Sequence, residues 1–365
     1  MSARVSVVIP VYNMRSYLPE AVESALAQTL PADAVEIVVV DDGSTDGSSD
    51  VAARYAPRVR VVRQENRGLP AARNAGIRAS DAPFLTFLDA DDRLLPEKLA
   101  AELALFDARS DLGVVYSGVR HIDGDGHPLP QRGFSREEGD VLARLVLGNL
   151  FHPVAAMVRR ALVERAGAFD ERLTSVEDWD LWLRIARLGA RWGCVDRVLA
   201  EYRIRPDGMH QNPRRMLDNS LRVLERVFAE PGLPADVQAL EGEAYQNVYL
   251  AAACDWYRAG DDAAGAAAFR AAAAARPAFL GDRRALKTVG RRLLPGGHQN
   301  DARVVANWSR VSRLLRRMLR QLFATADLEP AIARRRTAAW LAYARLAARY
   351  ARLRLAERIT RAAAS

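Results

Sequence analysis

Residues 5 to 12 (VSVVIPVY), 35 to 40 (VEIVVV), 59 to 63 (VRVVR) and 84 to 88 (FLTFL) are apolar runs rich in β-branched residues. Between them apolar positions recur at helical spacing, over 14 to 28, 48 to 55 and 69 to 79. Strands alternating with helices specify βαβ units and a sheet covered on both faces. The strand endings are polar: PVYN after the first, DDGSTDGS after the second, DADD after the fourth. In such sheets these endings open onto one edge, where ligands bind at a switch in strand order.

The same alternation continues to about residue 205. Residues 112 to 122 (LGVVYSGVRHI) and 154 to 158 read as further strands, the second leading into a helix at 160 to 166. DGDG at 123 to 126 misses the spacing of an EF-hand loop, because His127 and Pro128 stand where oxygen ligands are needed, so it reads as a hairpin turn. Residues 175 to 188 predict a helix with Ser175 as N-cap, Asp178 three positions on in the manner of a capping box, and Gly189 as the stop. After about 215 the strand patterns disappear. Residues 240 to 275 predict two antiparallel helices joined at AGDDA, similar to a single tetratricopeptide-type hairpin, and the Pro-Gly-Gly at 295 to 297 predicts a hinge.

Charge changes this picture in the second half. The 365 residues carry a net charge of +8, but residues 281 to 365 hold 20 Lys plus Arg against 5 Asp plus Glu, and the rest hold 33 against 40. Basicity therefore belongs to the helical tail. Over 304 to 323, Val304, Trp308, Val311, Leu315, Met318 and Leu322 fall on one stripe, with Arg310, Arg313, Arg316, Arg317 and Arg320 elsewhere. Such a helix either lies on an anionic membrane surface or packs on its neighbours with its charges in water. No base-reading module or stacking platform accompanies it, so nucleic acid is not an expected partner. Cys194 and Cys254 have no CxxC spacing, no run of about 18 apolar residues occurs, and the first residues carry no signal-peptide pattern. The expectation is a cytoplasmic protein, with peripheral contact at the inner face of a membrane left open.

The chemistry concentrates at the strand tips. Asp89, Asp91 and Asp92 lie within four positions. They form either a solvated turn or a site for a divalent cation with hard oxygen ligands. There is no GxGxxG after the first strand and no GxxxxGK[ST], which disfavours a dinucleotide fold of that type and a P-loop. Asp42 can accept hydrogen bonds from a base or ribose. Arg73 sits on the helix after NRGLP and suits a phosphate or a fixed carboxylate.

VSVVIPVYN, VVVDDGSTDGS, NRGLPAARNAGI, FLTFLDADD and VEDWDLWLR, in this order, resemble the inverting glycosyltransferases of family 2 with the GT-A fold. The resemblance runs from about residue 4 to 205. It implies an α/β Rossmann-like mixed sheet flanked by helices, here residues 1 to 215, followed by an all-helical basic region, 216 to 365. It also implies that Asp89 and Asp91 are the acidic positions of a DXD-type motif, Asp91 being the direct ligand for Mg2+ or Mn2+ and Asp89 on the nucleotide-sugar side. By the same resemblance Pro10, Tyr12 and Asp42 cradle the nucleoside, Arg73 lies on the nucleotide side, and Asp178, beside Glu177, takes the acceptor proton. The implied partners are a nucleoside-diphosphate sugar and a saccharide or lipid-linked acceptor, in cell-surface polysaccharide or glycolipid assembly.

Two departures bear on this. Leu188 stands where processive members carry the Gln of QxxRW, which favours transfer of a single sugar. The region after LAEYRIR offers His210 as a third metal ligand, while His121, His127, His152 and His298 have no ligand spacing. Trp179 and Trp182 read as core residues before sugar platforms. The alternatives are a nucleotidyltransferase, disfavoured by PVYN where a Gly-rich basic loop would stand, and a non-catalytic carbohydrate-binding scaffold with the same fold.

Overall fold

A computed structural model describes residues 3–130, 134–205, 208, 211–293, 304, 307–324 and 328–364. The chain divides into two units, one of residues 1–129 and 133–209, the other of 130–132 and 210–365.

The first unit is built on an eight-stranded mixed sheet of order β3-β2-β1-β4-β7-β6-β8-β5. β1 (Val5–Val11), β2 (Val35–Asp41), β3 (Arg60–Arg63) and β4 (Phe84–Phe87) are parallel, linked by α1 (Leu18–Leu26), α2 (Ser48–Ala53) and α3 (Leu69–Arg78). β5 (Arg93–Leu94), α4 (Lys98–Ala108) and β6 (Leu112–Ile122) follow, then α5 (Leu142–Leu145), β7 (Ala156–Arg159), α6 (Arg160–Arg165), α7 (Glu177–Arg187) and β8 (Arg191–Arg203). β7 runs antiparallel to both β4 and β6, and β5 antiparallel to β8. The strand core is fully buried, Val5, Val7, Val8, Ile9, Val38, Val39 and Val40 all being at 0% exposure. This is why these runs are apolar on both faces.

Register brings the tips together. Val11 pairs with Asp41, and Val8 pairs with Phe87, so β1, β2 and β4 end at one edge. The chain moves outward from β1 through β2 to β3 and then returns to the other side of β1 with β4. That reversal puts the crevice beside the DADD turn. α3 lies so close to β1 that a Cβ on Gly76 would stand 2.2 Å from Val8 Cγ1, which accounts for the glycine in AARNAG. At the neighbouring tip Gly43 has φ +78°, and a Cβ there would meet the Asn66 amide at 2.8 Å.

Two helix boundaries differ from expectation. α1 begins at Leu18 rather than at 14, with a proline in its first turn and residues 14–17 forming a separate turn (Tyr17 N to Met14 O, 3.0 Å). α7 begins at Glu177, and Ser175 is not its cap. Val176 takes a left-handed conformation (φ 56°), so the helix starts one residue past it, and Val176 as N-cap offers no side-chain acceptor to its amides. Three acids, Glu177, Asp178 and Asp180, then occupy the first turn, where the helix dipole favours negative charge. Gly189 does close the helix with positive φ.

The second unit is helical: α8 (Pro213–Ala229), α9 (Ala235–Gln238), α10 (Glu241–Ala259), α11 (Asp262–Ala275) and α12 (Arg283–Arg292), then helices Trp308–Phe323, Pro330–Ala333 and Arg336–Ala364. α10 and α11 form the expected hairpin, turned by Gly260 (φ +88°) and capped by Asp261, which accepts from the Ala264 amide. The apolar stripe of Trp308–Phe323 is not available to a membrane. Val304, Val311, Leu315, Met318 and Leu322 are at most 1% exposed in this unit's own core, beside Ala339, Leu346 and Tyr350. Arg310, Arg313 and Arg320 remain on the exposed side. The Pro-Gly-Gly segment lies outside the described residues. Among the described residues no helix is long and apolar enough to cross a membrane.

Candidate active site

The DADD segment forms the turn between β4 and β5, closed by the Asp92 amide on the Asp89 carbonyl at 2.9 Å. One residue fixes it. Arg203, at the end of β8, gives its amide to Asp92 Oδ1 (2.8 Å) and its Nε to the Asp91 carbonyl (2.7 Å). Its other nitrogens hold the Gly124 carbonyl (2.9 Å) and Glu20 (2.6 Å). The three carboxylates are thereby presented in a rigid frame.

Arg73 links this turn to α7. Its side chain is 1% exposed, with Nη2 at 2.6 Å from Asp89 Oδ1 and Nη1 at 2.5 Å from Glu177 Oε1. The guanidinium lies over the Phe169 ring, 5.3 Å from the centroid. Burial works against its charge, but Asp89 and Glu177 outweigh burial and hold it protonated. Both terminal nitrogens of Arg73 join the acidic turn to the acidic helix, the fixed-carboxylate alternative that the sequence left open beside a phosphate. Asn74 on the same helix exchanges hydrogen bonds with the Phe169 backbone, 2.9 and 3.0 Å, and docks the segment that leads into α7.

Asp178 sits in the first turn of α7, half-buried, with Oδ2 accepting from Asn149 Nδ2 and Oδ1 from the Trp179 amide, both at 2.8 Å. Burial, then the Glu177 charge, pushes its carboxyl up to about 7, against the pull of Arg73. Asp91 is pushed up to about 6 by burial and by Asp89, with Arg205 and Arg203 opposing. Arg205 Nη1 lies 3.3 Å from Asp91 Oδ2. Asp92 is held well above the usual range by burial and then by Asp91 and Asp89, and its Oδ2 is buried without a hydrogen-bond partner.

At the second tip Asp42 is buried and holds the following loop. Its Oδ1 accepts from Gln64 Nε2 (2.7 Å) and the Arg67 amide (2.9 Å), and its Oδ2 from the Gly68 amide (2.8 Å). Its visible work is to pin NRG against β2. Pro10 is buried within β1, whereas Tyr12 presents its ring to solvent at 46% exposure beyond the strand end. Trp179 and Trp182 are core residues, their indoles donating to the Leu145 and Phe151 carbonyls.

Tyr202 escapes the sequence reading, which sets His121 and His152 aside for want of ligand spacing. Tyr202 has its hydroxyl pushed far up by burial and by Asp92, Asp89, Asp91 and Asp178, which places it among the acids. His152 stacks on it with centroids 4.3 Å apart, and His121 stands 5.8 Å from both rings. Their spacing in sequence carries no signal. His210 lies outside the described residues. Asp123, Asp125 and His127 bring their ligand atoms within 4.8 Å of one another at the hairpin tip, but Asp123 Oδ1 is already accepting the Asp125 and His127 amides that make the turn.

Asp89, Asp91 and Asp92 offer hard oxygen atoms of the kind a divalent cation takes, but among the described residues only Asp123, Asp125 and His127 bring three ligand atoms within 4.8 Å of one another. Arg73 is shared by Asp89 and Glu177 and Arg205 faces Asp91, while the Arg203 guanidinium is taken by Glu20, so the acids here outnumber the arginines that face them. Asp91 and Asp92 are raised first by burial and then by their neighbouring carboxylates, and Asp92 Oδ2 is left without a hydrogen-bond partner.

Residues 6–167 match the pattern of Glycosyl transferase family 2. A Bacillus subtilis (strain 168) protein named "Putative teichuronic acid biosynthesis glycosyltransferase TuaG" is 31% identical over 216 residues, covering 57% of this chain and 82% of that protein. The chain belongs to glycosyltransferase family 2. It spans 60% of the length of the first curated relatives it matches. Among solved structures, Staphylococcus aureus TarS 1-349 in complex with UDP-GlcNAc superposes with TM-score 0.58 at 21% identity, covering 87% of this chain and 92% of that one. The mannosyltransferase PcManGT from Pyrobaculum calidifontis, in complex with GDP-Man and Mn2+, gives 0.55 at 20% identity, covering 92% and 88%. This family-2 chain therefore has a GT-A-like mixed sheet followed by a helical region.

Proposed function

We propose that this family-2 chain is an inverting, metal-dependent glycosyltransferase that moves one sugar from a nucleoside-diphosphate sugar to a hydroxyl acceptor. The observation that carries the reading is Arg73, which brings the DADD turn and the Glu177-Asp178 pair to one end of the sheet. A metal-and-diphosphate side and a base side then face one crevice at the switch in strand order. The acceptor is a saccharide or a lipid-linked saccharide of cell-surface polysaccharide or glycolipid assembly, in keeping with the name of TuaG.

Asp91, with Asp89, would hold Mg2+ or Mn2+, and a divalent cation bound there supplies Lewis-acid neutralisation of the departing diphosphate. Tyr12 offers its exposed ring to the nucleoside, and Asp42 has about one acceptor site, on Oδ2, beyond those taken by the 64–68 loop. Asp178 accepts the proton of the attacking hydroxyl as its oxygen bonds to the anomeric carbon from the face opposite the leaving phosphate. The sugar–phosphate bond breaks with its electron pair going to the diphosphate, so one displacement inverts the centre. A carboxyl near 7 suits this role, since it is about half ionised at neutral pH and basic enough to take a proton. Arg73 and Asn149 act as positioning residues for that carboxylate. Contact with an anionic membrane surface would run through exposed Arg310, Arg313 and Arg320, the apolar stripe being internal.

Calorimetric titration with UDP, GDP and dTDP, with and without Mn2+, tests the donor site. Metal-dependent binding of one nucleotide, lost in Asp91→Ala and retained in Asp178→Asn, is the expected result. Absence of binding to all three by the folded protein would instead favour a non-catalytic scaffold.

A further inference from the structure

Arg205 stands two residues beyond the arginine that frames the DADD turn, and it treats that turn differently. Arg203 holds the Asp91 and Gly124 carbonyls and Glu20 with its side chain and Asp92 with its amide. Arg205 instead places Nη1 at 3.3 Å from Asp91 Oδ2, the carboxylate that the proposed function gives to the cation. This contact is longer than the 2.6 Å between Arg73 and Asp89. The Arg205 guanidinium lies over the Tyr17 ring, 5.2 Å from its centroid, and forms part of the wall of a cavity of about 670 Å3. Arg15 and Arg54 line the same cavity, with Asp46 as its acid. The guanidinium is 8% exposed; its Nη1 meets Met14 Sδ at 2.5 Å as well as Asp91, and it borders the cavity beside the Tyr17 ring.

Two cations compete for the electrostatic position beside Asp91. A guanidinium within hydrogen-bonding range of a carboxylate lowers the affinity of that carboxylate for a second cation, since each neutralises the charge that attracts the other. A nucleoside diphosphate arriving with the cation brings negative charge of its own and so offers Arg205 a new partner, one its planar fork suits. We propose that Arg205 is an exchangeable counter-ion: it neutralises Asp91 in the empty protein and shifts its guanidinium to the donor diphosphate when the divalent cation takes Asp91. The consequence is coupled loading, in which cation and diphosphate each bind weakly alone and tightly together. This inference rests on the proposed donor site.

The experiment is calorimetric titration of the full chain and of Arg205→Gln and Arg205→Lys, at fixed ionic strength. The titrants are Mn2+ alone, UDP or GDP alone, and the same nucleotide with saturating Mn2+. Arg205→Gln should bind Mn2+ alone several-fold more tightly and the nucleoside diphosphate with Mn2+ about tenfold or more weakly, the loss of one charge-assisted contact. The corresponding nucleoside monophosphate, lacking the second phosphate, should change less. Opposite signs for the two ligands are the diagnostic. A residue that merely supports the fold would weaken both together, and that result, or no change in either, overturns the exchange. Arg205→Lys keeps the charge without the fork, so Mn2+ affinity should stay within about twofold of wild type while the diphosphate weakens. It carries the test if Arg205→Gln does not fold. Wild-type protein that binds no nucleoside diphosphate under any condition would overturn the donor-site reading itself, and the exchange with it.

Discussion

Replacing Arg73 by methionine keeps most of the side-chain volume and removes the charge that joins Asp89 to Glu177. Glu177 has 5% of its side chain exposed and Asp89 has 25%, so the two carboxylates respond differently. Asp89 can regain water. Glu177 keeps a buried charge with its partner gone. Breaking a buried pair from one side costs about 3–5 kcal/mol, and the partial hydration of Asp89 argues for the lower end, about 3 kcal/mol. For a unit of this size each kcal/mol moves the melting temperature by about 2–4 °C, so the first unit should melt about 6–12 °C lower. Differential scanning calorimetry reads this directly. The double variant Arg73→Met/Glu177→Gln removes the stranded charge and should regain about 1–2 kcal/mol, a coupling that independent sites do not show. Arg73 also draws the Asp178 carboxyl downward, so in the single variant the pH dependence of any transfer should move to higher pH. A single variant that melts within about 2 °C of wild type, or a double variant no more stable than the single, would refute the bridging role.

For Asp178 the active form is the carboxylate, so transfer should rise with pH through about 7 and level above it. Asp178→Asn should lose about 10²–10⁴ in turnover with donor binding kept, and a rate that falls with rising pH between 6 and 8 would remove Asp178 as the base. Asn149→Ala deletes a donor to the ionised form and should move that rise upward by about one pH unit, read from the same profile. Gly76→Ala should lower the denaturant midpoint by the equivalent of about 1–3 kcal/mol, because the new methyl meets Val8 Cγ1. An unchanged midpoint would show that α3 can retreat from β1.

The local pattern of this chain is legible where structure follows from neighbours in sequence. The runs at 5, 35, 59 and 84 became β1 to β4 because β-branched residues buried on both faces have few alternatives to a central strand. The α10–α11 hairpin followed from Gly260, Asp261 and helical Ala-rich flanks. Where a backbone conformation was set by packing, local reading failed: Val176 in the left-handed region starts α7 later than Ser175 and Asp178 suggest. The stripe of Trp308–Phe323 shows the same limit. Its amphipathicity was visible, but only the neighbouring helices decided that Leu315 and Met318 face protein.

At the site the sequence determined which chemical groups stand at which strand tips, because a strand ends where its apolar run ends and DADD and DDGS mark those ends, while VEDWD opens α7. Tertiary structure decided how the groups pair. Arg73 and Glu177 are 104 residues apart, and Arg203 and Asp92 111 apart, separations across which periodicity carries no information. An arginine in a sequence is a charge awaiting a partner. Which carboxylate it meets depends on a few ångströms that strand order and register supply, and Coulomb energy at such distances makes that choice the difference between a nucleotide ligand and a bridge between two acids.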